Sequence, residues 1–332
     1  MLKIKRISMH MAVAAQLAAA CLLAAWALPA VAQGNYPSQP ITLVVGFPPG
    51  GSNDIVARIL APKLAQVLGV AVVVENKAGA NATIGTEYTV RAKPDGYTIT
   101  LGSASPLAIS PHTYAKLPYN PLTDLTAVTT VASTPELIAI NPSVPAKTLQ
   151  ELVALSKTKD ITIASAGAGG LPHLAIELLK SESKGRIVHV PYKGASPAMT
   201  DAVGGHVDGI IVDLPALFAL VSDGRLRALT VTNDRRASVM PDIPTSAEGG
   251  LPGVLAFNWF AVMAPAKTPK DVVAKLHAAL VKTAHDPDVK AKLAKVGIEP
   301  MTQATPEEAS AFMKSETTRW GKVAQTAGIK VN

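Results

Sequence analysis

Cysteine, aromatic residues and dense charge are scarce in this sequence, and each scarcity excludes a class of protein. Cys21 is the single cysteine among 332 residues, and it lies in an apolar run near the start, so the rest of the chain can form no intramolecular disulfide. Aromatic residues make up 4% of the chain, and the basic residues are scattered. Surfaces that bind nucleic acids combine basic clusters with stacking aromatics, so we expect no nucleic-acid partner.

Sequence motifs of several enzyme classes are also missing. The histidines after residue 32 are dispersed, with none at the spacing of metal ligands, and we expect no metal or other cofactor. No Gly-x-Ser-x-Gly elbow occurs, and residues 79–85 lack the Lys and the Ser or Thr of a phosphate-binding loop. Residues 167–172 carry proline where a dinucleotide fingerprint needs its third glycine. The sequence therefore favours a binding protein over an enzyme.

The first residues have the pattern of a cleavable secretory signal. Basic residues within the first six positions precede an apolar run over residues 12–28, and small residues follow up to Ala32. Gln16 interrupts the run and Pro29 ends it, which disfavours a membrane anchor. We therefore expect residues 1–32 to be a signal peptide and the protein to work in the periplasm.

Length and charge describe what would remain after cleavage at that point. Residues 33–332 number 300, with 28 basic and 24 acidic side chains, a net charge of about +4. None of their segments is apolar for the ~20 residues that a membrane-spanning helix needs, so we expect a soluble chain. Since one hydrophobic core ordinarily stops growing near this size, we also expect two lobes.

Short β-rich runs alternate with longer helical patterns after residue 32. Residues 41–46 and 71–75 have the composition of strands, and residues 54–68 between them have the spacing of an amphipathic helix. The alternation pauses in the Pro- and Ser-rich residues 103–121 and resumes with a strand at 138–141. This order is typical of an α/β fold with parallel strands and crossover helices.

Two segments of the chain are alike, ITLVVGFPPGGSND at 41–54 and ITIASAGAGGLPH at 161–173. Each predicts a strand, a glycine loop and a helix start, with Asp54 or His173 placed in the first helical turn. Glycine allows a backbone to approach a bound oxygen closely, and a helix start offers unpaired N–H groups and a positive dipole end. One Gly-Gly pair is better explained as a tight turn, but two in equivalent positions favour an anion site between the lobes.

Five long segments resemble the Bug family of solute-binding proteins, the periplasmic receptors of tripartite tricarboxylate transporters. They are YPSQPITLVVGFPPGGSNDIVARILAPKL, VENKAGANATIG, AKPDGYTITLGS, HVPYKGASPAMTDAVGGHVD and MPDIPTSAEGGLPG. Because they are long, ordered and spread over nearly the whole chain after residue 32, they are far more specific than either glycine loop alone.

The resemblance implies a two-lobed α/β periplasmic binding protein, type II-like and of the Venus-flytrap kind, with two crossover strands and hinge closure on the ligand. We place the crossings near residues 134–135 and 257–258. Lobe 1 would then comprise residues 33–134 and 258–332, and lobe 2 residues 135–257. We expect the protein to be a monomer.

The resemblance also implies that the two glycine loops hold a ligand carboxylate while neighbouring residues contact the rest of the molecule. Carried onto this sequence, the predicted ligand-binding residues are Phe47, Pro49, Gly50, Gly51, Asp54, Ala80, Asn81, Ser103 and Ser105 in lobe 1, and Ser165, Ala166, Gly167, Gly169, His173, Tyr192, Gly194 and Asp213 in lobe 2. Several have a simpler explanation: Asp54 as an acid complementing the helix dipole, His173 as a local cap, Tyr192 as a packing residue at the rim, and Asp213 as a turn former.

These features predict a receptor that captures a small mono-, di- or aromatic carboxylate and presents it to membrane transporter subunits. One alternative is a signalling receptor whose ligand-bound form docks on a sensor domain. Another is an enzyme acting on a carboxylate in the same cleft, which needs an acid and a base within reach of each other. A hydrogen bond between Asp54 and His173 across the cleft would favour the enzyme.

Overall fold

Short strands and helices alternate through residues 36–331, the part of the chain that the structure, a computed structural model, describes. The strands are β1 (Ile41–Val45), β2 (Val72–Asn76), β3 (Thr98–Ser103), β4 (Leu125–Ile140), β5 (Ile161–Ser165), β6 (Ile187–Pro191), β7 (Gly209–Asp213), β8 (Arg227–Val231), β9 (Phe257–Pro265) and β10 (Glu299–Pro300). The helices are α1 (Ser52–Leu68), α2 (Thr83–Val90), α3 (Ser110–Thr113), α4 (Leu149–Ser156), α5 (Leu171–Ser183), α6 (Ala195–Gly204), α7 (Leu214–Ser222), α8 (Lys270–Ala284), α9 (Pro287–Ala294) and α10 (Pro306–Thr326). None of these described helices has both the length and the apolar character to cross a membrane. The expected signal peptide, residues 1–32, lies outside the described residues.

The strands form a mixed sheet in the order β2–β1–β3–β9–β4–β7–β5–β6, and β8 and β10 also pair with β4. The first parallel set consists of β2, β1 and β3, and the second parallel set of β6, β5 and β7. Antiparallel β9 and β4 join the two sets. The predicted α/β fold with parallel strands and crossover helices is confirmed.

Strand β4 passes from one parallel set to the other. Its pairing with β9 ends at Pro135, and its pairing with β7 begins at Glu136. The two expected crossing points are neighbours in the sheet, because Thr134 pairs with Asn258 and Pro135 pairs with Phe257. The limits assigned to the two lobes stay a prediction.

Two segments differ from the sequence prediction. β4 begins at Leu125 rather than near residue 138, because it is buried along almost its whole length and burial on both faces removes the alternation of polar and apolar residues. Residues 103–121, predicted as a pause, contain a helical turn at Ser105–Ile109 followed by α3. Since Ser and Pro favour helix starts as well as loops, their abundance does not distinguish the two.

The core is closed by apolar helix faces and by one buried carboxylate that is fully paired. In α1, Val56, Leu60 and Leu64 recur every four residues and are buried, since that spacing places them on one face. In α10, buried Glu316 accepts hydrogen bonds from the indole N–H groups of Trp259 (2.8 Å) and Trp320 (3.1 Å). Buried polar groups of this kind need such partners to be tolerated.

A close contact between two glycines brings α2 against the end of β1. A Cβ atom on Gly85 would lie 2.8 Å from the Cα atom of Gly46 and 2.9 Å from the carbonyl oxygen of Lys77. A Cβ atom on Gly46 would lie 2.5 Å from the Cβ atom of Ala82. Only glycine at both positions allows the turn before α2 to lie beside the first glycine loop.

We expect Gly85→Ala to destabilise the protein. Alanine favours a helix over glycine by ~1 kcal/mol, but the clash with backbone atoms costs more, and overpacking of this kind leaves a net loss of about 1–2 kcal/mol in the free energy of unfolding. Urea denaturation of both proteins measures the difference. Gly204→Ala is the matched control, because that helical glycine is exposed and its Cβ would meet only the movable ring of His206, at 3.1 Å. Equal destabilisation by both substitutions would contradict the contact.

Candidate functional site

The two glycine loops meet at one cavity, which lies at the carboxyl ends of both parallel sets. The wall of the cavity consists of Phe47, Pro48, Pro49, Gly51, Ser52, Asn53, Asn81, Ser103, Ser105, Ala166, Pro172, Ala195, Ser196, Val212, Asp213, Ala216 and Asn258. The cavity has a volume of about 60 Å³. One water needs ~10–15 Å³ of such space, so the cavity has room for a few waters or for a head group of similar size.

The first loop is held in shape by Asp54, whose side chain turns back towards it. The Gly50 N–H donates to Asp54 Oδ2 (3.1 Å), Arg58 Nε donates to the same oxygen (2.9 Å), and Asn76 Nδ2 donates to Asp54 Oδ1 (2.9 Å). Asn76 also donates to the Phe47 carbonyl (3.1 Å). Burial favours a higher pKa for Asp54, but the hydrogen bonds from Arg58, Asn76 and Gly50 outweigh it and lower the pKa. Asp54 is therefore an ionised support of the loop and does not line the cavity.

The start of α1 faces the cavity directly. Gly51 occupies the N-cap position in an extended conformation with no side chain bonded to the helix end, and Ser52 and Asn53 follow it in the cavity wall. The first N–H groups of a helix have no partner within the helix, and the dipole makes this end positive. This end of α1 can therefore receive an anion without a charged side chain.

Asn81 lies between the two glycine loops in a strained conformation. Ala80, Asn81 and Ala82 have φ values of 45°, 55° and 70°, and left-handed residues with side chains cost of order 1 kcal/mol each. A Cβ atom on Gly170 would lie 2.5 Å from Asn81 Nδ2, so the second loop touches the asparagine through a glycine. Asn81 Nδ2 is buried and has no hydrogen-bond partner within residues 36–331. Strain that places an unpaired donor in a cavity wall points to a ligand contact.

The two serines that follow β3 play different roles. Ser103 Oγ is buried in the cavity wall and has no hydrogen-bond partner in the described part of the chain. Ser105 Oγ accepts a hydrogen bond from the Leu171 N–H (3.0 Å), the first residue of α5. Ser103 is thus available to a ligand, while Ser105 ties the first parallel set to the second loop.

Two histidines, His173 in the first turn of α5 and His189 in β6, hold the second loop in shape. Gly169 N–H donates to His173 Nδ1 (2.9 Å), the ring of His173 stacks on that of His189 with centroids 3.9 Å apart, and His189 Nε2 hydrogen bonds with Ser165 Oγ (2.6 Å). Burial lowers the pKa of His173, and burial together with the neighbouring His173 lowers the pKa of His189 to about 3. Both rings are therefore neutral, and His173 acts as the local cap of its loop.

One acidic side chain, and no basic one, lines the cavity. Asp213 lines the cavity at the end of β7, and Asn258 Nδ2 donates to both of its oxygens at 3.1 Å and 3.0 Å. The amide oxygen of Asn258, Oδ1, accepts a hydrogen bond from the Ala104 N–H (3.3 Å). Among the residues of the wall none is basic, so neutral donors must balance the charge of any anion bound here.

A groove adjoins the cavity and shares Phe47, Pro48, Asn81 and Ala166 with it. Its other lining residues are Ala78, Gly79, Ala80, Ala82, Tyr114, Gly167, Ala168, Tyr192, Lys193 and Gly194. The groove has a volume of about 500 Å³, which is far larger than the volume of the cavity. Tyr192 donates to Asp201 (2.6 Å), and that hydrogen bond, helped by burial, raises the pKa of Tyr192 to about 12. A ligand whose head group fills the cavity could extend into the groove.

The structure divides the predicted ligand-binding residues into three groups. The cavity wall contains Phe47, Pro49, Gly51, Asn81, Ser103, Ser105, Ala166 and Asp213. The groove adds Ala80, Gly167, Tyr192 and Gly194. Outside both lie Gly50, Asp54, Ser165, Gly169 and His173, which shape the loops through the hydrogen bonds given above or, for Gly50 and Gly169, through left-handed turns.

Sequence reasoning missed several residues of the wall. Ser52 and Asn53 follow the first glycine loop directly, and their place in the first turn of a helix could have indicated them. Asn258 and Ala195 carry no local signal, because only the pairing of β9 with β4 and the position of α6 bring them to the cavity. The described residues contain no cluster of three His, Cys, Asp or Glu side chains that could hold a metal ion.

Comparison with known proteins agrees with this geometry. Residues 56–329 match the model of the tripartite tricarboxylate transporter family receptor. The chain is 37% identical to protein BugT of Bordetella pertussis over 304 residues, which cover 91% of this chain and 93% of that protein.

Two similar solved structures carry ligands. One, an R. palustris protein with adipate, has a TM-score of 0.85 at 33% identity, with 89% of this chain and 100% of that chain covered. The other, MatC from Rhodopseudomonas palustris with bound malate, has a TM-score of 0.80 at 29% identity, with 87% and 99% covered. With two glycine loops at one cavity and a family match over most of its length, the chain belongs to the Bug-type family of tripartite tricarboxylate transporter receptors, which are periplasmic binding proteins.

Proposed function

We propose that this protein captures a small carboxylate in the periplasm and delivers it to the membrane subunits of a tripartite tricarboxylate transporter. The observation that carries the proposal is the set of unused donors in the cavity wall. Asn81 Nδ2 and Ser103 Oγ are buried without partners within the described residues, and the start of α1 lies beside them. A buried donor left unpaired costs about 1–3 kcal/mol, which a ligand oxygen would recover.

The same wall explains why the ligand is a carboxylate of modest size. Its donors are neutral, so a carboxylate would be bound by hydrogen bonds and by the α1 dipole, as anions are bound at other helix starts. The cavity has room for one head group, and the larger groove takes the remainder of the molecule. The adipate and malate bound to relatives are both dicarboxylates of this kind.

Binding without chemistry is supported by the partners of the two groups that an enzyme would need. Asp54 is bonded to Gly50, Arg58 and Asn76, and His173 is bonded to Gly169. Each side chain therefore serves its own loop. Delivery to a transporter is preferred over docking on a sensor domain because the family is one of transporter receptors. Export through a signal peptide at residues 1–32 is part of the same proposal.

We expect carboxylates to stabilise the purified protein against heat once carried-over ligand has been removed. A ligand at 100 times its dissociation constant adds ~2.7 kcal/mol of stability, which a thermal-shift assay detects. Malate and adipate are the first probes, and adipamide is the matched control, because it keeps the length of adipate without its charge. The proposal is rejected if no carboxylate in a broad panel shifts the melting temperature, or if adipamide shifts it as much as adipate.

We expect Asn81→Asp and Ser103→Ala to weaken carboxylate binding by different amounts. Asn81→Asp keeps the shape and tolerates the left-handed conformation but replaces a donor with a negative charge, which costs about 1.5–3 kcal/mol, ten- to hundredfold in affinity. Ser103→Ala removes one neutral donor, about 0.5–1.5 kcal/mol. Calorimetric titration measures both. Asn233→Asp is the control, because Asn233 lines a separate crevice near Arg235. The affinity of this variant for carboxylates should equal that of the wild type.

A further inference from the structure

Two buried carboxyl groups face each other at the wall of the cavity. Glu136 in β4 and Asp213 at the end of β7 are direct partners across an antiparallel pair, where side chains lie closest. Glu136 is 0% exposed, and Asp213 lines the cavity beside Ser52 and Asn258. Two ionised carboxylates that lie opposite each other in a buried position repel each other strongly.

The hydrogen bonds around the pair are unequal. Asp213 accepts hydrogen bonds from Asn258 Nδ2 through both of its oxygens, and Ser52 lies in the same cavity wall. Neither carboxylate oxygen of Glu136 has a hydrogen-bond partner within residues 36–331, and its partner across the strand pair is Asp213. Two carboxylates can hydrogen bond only when a proton lies between them. Because Asn258 already donates to both oxygens of Asp213 whereas Glu136 has no donor, a proton on Glu136 that is donated to Asp213 satisfies both groups.

No basic side chain from the surrounding described elements compensates the negative charge of the two carboxyl groups. The groups that act on Asp213 are Glu136 from β4, Ser52 from α1 and Asn258 from β9, and Asp213 is the charged group that acts on Glu136. The carbonyl of Glu136 accepts from Thr232, which follows β8. Burial raises the pKa of Glu136 well above its ordinary value, and the nearby Asp213 adds to this; burial also raises the pKa of Asp213.

We infer that the Glu136–Asp213 pair is a proton-binding site of this receptor: it holds one proton when the cavity is free and takes up a second, on Asp213, when an anionic ligand fills the cavity. The second step rests on the proposed function. Asp213 stands in the wall that the ligand carboxylate would touch, and no basic residue in the wall separates the two charges. Binding of an anion beside a buried carboxylate favours protonation, and by reciprocity protonation favours the anion.

The first proton is tested without any ligand. Infrared spectroscopy of the ligand-free wild type at neutral pH should show the carbonyl band of a protonated carboxyl group, and Glu136→Gln should lose it, because the amide replaces the proton as donor to Asp213. Glu316→Gln is the matched control, since Glu316 is a buried glutamate whose donors are Trp259 and Trp320, and it should keep the band. A wild type without the band, or a Glu136→Gln variant that retains it, overturns the shared proton.

The second proton is tested by calorimetry with malate and adipate in buffers of different ionisation enthalpy. The wild type and Glu136→Gln should take up a measurable fraction of a proton per ligand, and their affinity should fall as pH rises, by up to about tenfold per pH unit at full coupling. Asp213→Asn should take up none and should bind the anion more tightly than the wild type above neutral pH. A variant that had merely lost structure would bind more weakly at every pH.

Two outcomes separate this inference from the proposed function. If malate and adipate bind to the wild type with no proton uptake between about pH 5 and pH 8, the coupling is overturned and the receptor function stands. If no carboxylate binds, the coupling falls together with the receptor function, and the infrared band still decides whether the pair holds its first proton. Melting curves of all three variants exclude unfolding as the cause of any loss.

Discussion

The antiparallel pairing of β4 with β9 is the constraint on which the binding site depends. The two parallel sets are far apart in the chain. In each set one strand, β1 or β5, leads into a glycine loop, and local structure alone does not fix the position of one loop relative to the other. Because β4 continues from its pairing with β9 into its pairing with β7, the carboxyl ends of both sets meet at one cavity. The same crossing brings Asn258 and Asp213 into contact, so the crossing strands also contribute to the wall.

The two glycine loops resemble each other in sequence and differ in what they offer. The first loop leads into α1, whose unpaired start faces the cavity. In the second loop, two backbone N–H groups already have partners within the protein: Gly169 donates to His173, and Leu171 donates to Ser105. The residues that make each loop rigid, Asp54 and His173, are the polar residues that follow its glycines. Rigid loops keep the donors in place before a ligand arrives, which reduces the entropy that binding must offset.

The absence of basic residues from the described wall has a physical consequence for both ends of the site. At one end, neutral donors and a helix start can bind negative charge without a fixed counter-ion. At the other, Asp213, the cross-strand partner of Glu136, would bring a carboxyl group close to that anion. Under the function proposed above, a site built in this way would select its ligand through hydrogen-bond geometry and protonation rather than through a fixed positive charge in its wall.

Local sequence determined the alternation of strands and helices, the two glycine loops and the family, because periodicity, glycine pairs and long ordered segments are properties of neighbouring residues. It also indicated part of the cavity wall, including Asn81 and Ser103. Only the tertiary structure decided which way side chains point: Asp54 and His173 turn into their own loops. It alone paired Glu136 with Asp213, since cross-strand register joins residues 77 positions apart for which no local pattern exists.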